Sequence, residues 1–167
     1  MKAVLHMAVI YLKDEDRRTL AKSIILHCVN SEWNLEEPLS RIFYERLVDI
    51  EQDSEFLLKL LDSKASRKLV FAFSNYLEEM PGSVKKYAEF IIVLCRSVLE
   101  KKYVDASEYW GLETDASKLI FDLYDECAGS ACEKDKKIAC ECLDLWDMMF
   151  EKQIGQVRML SRELMER

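Results

Sequence analysis

The sequence predicts an all-α protein made of antiparallel helical hairpins, and three observations carry that prediction. Turn-forming residues are scarce. Four Gly and two Pro in the chain cannot punctuate a sandwich or barrel, which needs a turn about every 8–12 residues. Apolar residues recur at helical spacing in one segment after another. The stretch 83–100, SVKKYAEFIIVLCRSVLE, is apolar over most of its circumference. Tyr87, Ala88, Ile91, Leu94, Cys95 and Val98 share one helical face, and Phe90, Ile92, Val93 and Leu99 widen it. A helix of that breadth needs neighbours on more than one side, so 83–100 is the expected central helix.

The other elements follow in order. Residues 3–12, AVLHMAVIYL, form a short apolar helix without a convincing cap. A second helix spans about 16–29 with Leu20, Ile24 and Cys28 at helical spacing. Asn34 can cap a third, in which Glu36 and Glu37 suit the positive end of the dipole and Pro38 fits only a first turn. Its expected buried stripe is Leu39, Ile42, Phe43, Leu47 and Ile50. Asp53 or Ser54 caps the short segment EFLLKLLD, and SRKLVFAFSNYLEEM points Leu69, Val70, Phe73, Tyr76 and Leu77 inward. Pro81-Gly82 is the clearest turn signal in the chain, and Ser83 follows it as a cap. Residues 101–114 read as a looser connection, with room for one helical turn over 105–110. A helix from Thr114 or Asp115 to Ala128-Gly129 buries Leu119, Ile120, Leu123 and Tyr124. The next, about 133–152, buries Ile138, Cys142, Leu145, Trp146, Met149 and Phe150, and a charged last helix follows Gly155.

Seven to nine helices result, and their short links place successive helices antiparallel. The breadth of 65–79 and 83–99 favours an α-solenoid of stacked hairpins over a closed bundle, because inner helices of a stack need two apolar faces. The length suits a single domain, 1–167. The uncapped start and the charged, abrupt end suggest a piece of a longer chain.

The hairpin alternation resembles irregular HEAT-type repeats. The tail, IACECLDLWDMMFE from Ile138 followed by IGQVRMLS from Ile154, is similar in its apolar and Trp-Asp positions to the closing helices of large bacterial multidomain NTPases. That resemblance implies a regulatory or recognition piece whose NTPase lies elsewhere.

The chain carries a net charge of −7, and its Lys pairs are diluted by neighbouring acids. No basic stripe is available for nucleic acid. No apolar run approaches the roughly 20 residues of a membrane span, and no secretory leader is visible. Six cysteines in such a chain imply reduced thiols and a cytoplasmic setting.

Cys127, Cys132, Cys140 and Cys142 are the one set that could offer four thiolates to a structural zinc ion. However, Cys140 and Cys142 diverge by roughly 200° on a helix, and no Cys-x-x-Cys occurs. Buried or incidental thiols, with no metal and no cofactor, are the expectation. His6 and His27 lack partners at metal-binding spacing. The acids at 14–16, 36–37, 78–79 and 122–126 read as solvated charge, and no phosphate loop or nucleophile elbow is present. The expectation is therefore a non-catalytic module that binds a protein partner, with Trp33, Tyr109 and Trp110 as loop aromatics that anchor it. The competing expectation is a compact bundle holding a small ligand or a structural metal.

Overall fold

A computed structural model describes residues 2–29, 36–50, 52–61, 63, 66–79, 84–100 and 110–152. The described residues contain eight α-helices, one turn of 3-10 helix and no strand. They are α1 (Lys2–Tyr11), α2 (Glu15–Cys28), α3 (Glu36–Tyr44), α4 (Ser54–Leu61), α5 (Ser66–Glu79), α6 (Ala88–Glu100), α7 (Trp110–Cys127) and α8 (Glu133–Glu151). The 3-10 turn is Val84–Tyr87. The all-α expectation and the number of helices both agree with this. Among the described residues, no helix is long and apolar enough to cross a membrane. The expected turn at 105–110 and the last helix after Gly155 fall outside them, apart from Trp110. The chain divides into two compact units, Met1–Met80 and Pro81–Arg167, with the boundary at the Pro81-Gly82 turn signal.

In Met1–Met80, α1 packs on α2 and α3, α3 on α5, and α4 on both α5 and α2. Leu5, Val9 and Leu12, Ala21 and Ile25, Ile42 and Phe43, Leu57 and Leu60, and Leu69 and Phe73 form its core. Phe43 meets Phe73 edge-on with ring centroids 5.3 Å apart, and Tyr76 stacks on Phe73 at 5.9 Å. These ring contacts seat α3 on α5.

A buried carboxylate ties α2 to α4. Asp14 caps α2 by accepting the Asp16 N–H at 3.1 Å. Asp53 stands before α4, and its carbonyl accepts the Leu57 N–H at 3.0 Å. Its carboxylate accepts from Arg18 Nη2 at 2.6 Å, from Lys22 Nζ, and from the Asp49 N–H at 2.8 Å. Arg18 also donates through Nη1 to the Leu12 carbonyl, near the end of α1. Bringing both cations to Asp53 turns α2 so that Ala21, Ile25 and Cys28 are buried. Of the residues expected at helical spacing, Cys28 is buried, whereas Leu20 and Ile24 give way to Ala21 and Ile25, and Leu20 is 63% exposed.

The third helix ends earlier than its apolar pattern suggests. Arg46 adopts φ 51°, its N–H bonds the Phe43 carbonyl, and the Leu47 N–H bonds the Ile42 carbonyl, each at 2.9 Å. This pair of bonds is a Schellman closure, with Leu47 folded back beside Ile42. Leu47 is buried as expected, but from beyond the helix.

In Pro81–Arg167, α6, α7 and α8 each pack on the other two, and the 3-10 turn packs on α6 and α7. The central stretch is therefore divided: Val84–Tyr87 winds tightly and Ala88–Glu100 is α-helical. Ala88, Ile91, Ile92, Leu94, Cys95, Val98 and Leu99 are buried, whereas Val93 faces solvent. Glu126, near the end of α7, accepts the Val84 and Lys85 N–H groups at 3.0 and 3.2 Å. Asp135 is buried in the first turn of α8 and takes Lys85 Nζ and Ser130 Oγ, both at 2.6 Å. Arg96 on α6 pairs with Glu141 on α8 at 2.7 Å. Gly129, at φ 79°, takes the left-handed conformation just past α7.

Two outcomes follow. Left-handed backbone costs a side-chain-bearing residue about 1 kcal/mol, so Arg46→Gly raises stability by up to about 1 kcal/mol in urea unfolding. Asp53→Ala strands two partly buried cations and an N–H, and lowers stability by about 2–3 kcal/mol. Burial pushes the Asp53 carboxyl up, but the bonds from Lys22, the Asp49 N–H and Arg18 outweigh it and leave its pKa below the ordinary value. A depressed folded pKa makes this contribution complete above the unfolded value, near 4. It is lost as pH falls through the folded pKa. The wild-type advantage over Asp53→Ala therefore shrinks in acid, as read by unfolding at pH 7 and pH 3.

Candidate functional site

Among the described residues of Pro81–Arg167, an apolar surface feature lies where α7 and α8 run side by side. Helical spacing directs Phe121 and Tyr124 of α7 and Leu143 and Trp146 of α8 to the outer seam between them. With Ile120 and Cys142 behind, these side chains line a shallow, open apolar notch. Trp146 is buried, Phe121 and Tyr124 are half-buried, and Leu143 is 42% exposed. Phe150 was expected in the core, but it lies seven residues beyond Leu143 on the same outer strip and is 55% exposed. Met149, one residue earlier, takes the inward position. Asp125 lies one turn beyond Phe121, and Asp147 one turn beyond Leu143. Both are exposed and give the seam a polar rim.

The four cysteines singled out by the sequence are not equivalent. Cys127 and Cys142 are buried, while Cys132 and Cys140 are exposed. Among the described residues, no group of three or more His, Cys, Asp or Glu side chains is arranged to hold a metal ion. Burial pushes the Cys142 thiol up to about 12, with Cys127 and Glu141 nearby adding to the rise. Cys95 is likewise pushed up to about 12 by burial, reinforced by Cys142. Cys127 is raised by burial and then by Asp135, against Lys85. These thiols remain protonated at neutral pH, which suits core packing and not nucleophilic attack.

One carboxyl stands apart from the solvated acids. Asp122 is half-buried on α7. Burial raises its pKa, Lys118 opposes the rise, and Glu126 and Asp125 add to it. An acid of this kind is useful in catalysis when it faces a second polar group across a cleft, and the notch beside it is lined by apolar and aromatic side chains.

Trp33 and Tyr109 lie outside the described residues. Trp110 opens α7, and its side chain lies outside them as well. The seam residues Leu143 and Phe150 were missed as surface features. Their seven-residue spacing, one position away from the Cys142–Met149 pair, is the signal that distinguishes an outer strip from the core strip. No family model, curated protein or solved structure matches the chain. The fold and the seam define an all-helical protein with an apolar surface notch.

Cysteine burial yields a direct check. Cys132 and Cys140 react with a thiol reagent in the folded state, whereas Cys28, Cys95, Cys127 and Cys142 react only on unfolding. Excess zinc leaves this pattern unchanged. Protection of both exposed thiols by zinc would revive the metal site.

Proposed function

We propose that this chain is a non-catalytic helical interaction module, and that the α7–α8 seam receives an apolar side chain of a protein partner. The notch carries this reading. The space it encloses, about 10 Å³, is far below the roughly 300–1,000 Å³ of small-molecule pockets, so the notch is a shallow apolar surface against which a partner's side chain packs. Its lining of Trp, Tyr and Phe belongs to the residue types that dominate binding energy at protein contacts. The exposed Leu143 and Phe150 enlarge the contact beyond the notch. Asp125 and Asp147, on a chain of net charge −7, favour a partner with a basic residue beside its apolar anchor.

Two further elements of the reading rest on the sequence. The similarity of the tail to the closing helices of bacterial multidomain NTPases supports a role in sensing or assembly. Trp33 and Tyr109 remain proposed anchors on the ground that loop aromatics serve contacts; Trp110 stays with them as a proposal, although α7 starts at Trp110 and not at the expected Thr114 or Asp115. For the arrangement of helices, the pairings of Met1–Met80 return upon themselves, from α1 through α2, α4, α5 and α3. That pattern supports closed packing within the unit over an open HEAT-like stack.

The test is site-specific photo-crosslinking in cells, with the probe replacing Leu143 or, as a control, Lys137 on another exposed face of α8. Position 143 is expected to capture a discrete protein that position 137 does not. Phe150→Asp, a surface change with little effect on stability, is expected to reduce that capture by about tenfold or more. Equal labelling from both positions, or capture indifferent to Phe150→Asp, overturns the proposal.

A further inference from the structure

We draw no further inference here: the strongest candidate, the exposed apolar face of α1 formed by Val4, Met7 and Ile10 in Met1–Met80, carries nothing because nothing in the structure shows what covers it.

Discussion

Each compact unit of this chain contains a buried carboxylate at the start of a helix, with cations reaching it from distant sequence. In Met1–Met80 it is Asp53 before α4, joined by Arg18 and Lys22. In Pro81–Arg167 it is Asp135 in the first turn of α8, joined by Lys85. Removing an ionised carboxylate from water costs several kcal/mol unless its oxygens are fully engaged. Asp53 meets that condition on both oxygens, whereas Asp135 is engaged through Oδ2. Asp53 takes a backbone N–H besides its two cations, and Asp135 takes the Ser130 hydroxyl. The Asp135 pKa is held below the ordinary value by the Lys85 bond first and the Ser130 bond second. A helix N-terminus adds a favourable field for a negative charge. The geometric demand is strict, and it determines how the surrounding helices are turned.

That demand explains which parts of the fold were legible in the sequence. Periodicity identified the helices because burying an apolar stripe is a local, repeating requirement. Ile138, Cys142, Leu145 and Met149 are inward as their spacing implies. Rotation and termini were harder to read, because partners far along the chain decide them. Leu20 and Ala21 compete for the same helical side. The choice depends on Arg18 and Lys22 reaching an acid more than 30 residues away. Ser83 looked like the natural cap of the central helix, yet the Val84 and Lys85 N–H groups go to Glu126, about 40 residues on. The Arg46 closure of α3 was invisible for a different reason. A left-handed residue after a helix is usually Gly, and Arg carries no such signal.

The candidate surface was less legible than the fold. Trp146 is buried as its spacing implies, whereas Tyr124, also expected inward, is half-buried and Phe150 is exposed. A stripe of apolar residues does not reveal where the core ends and an outer seam begins, because Met149 and Phe150 differ by a single 100° step. The same limit applies to α1. An apolar helix with Lys2 as its one Lys, Arg, Asp or Glu reads as core, yet Val4, Met7 and Ile10 are exposed among the described residues.

Among the described residues, the titratable groups near this surface support binding as the proposed reading. A nucleophilic thiol needs a depressed pKa and access to substrate. Here Cys142 borders the notch with its thiol pushed up to about 12 by burial, so it contributes bulk and polarisability and little thiolate. A general acid needs a raised pKa together with a polar group facing it across a cleft. Asp122 has the raised pKa, but it is not among the residues that line the notch, whose polar groups are the Tyr124 hydroxyl and the Trp146 indole N–H. What remains is apolar area beside aromatic rings, whose free energy is released by excluding water from another apolar surface. That is why the seam is read as a place where a protein side chain is received.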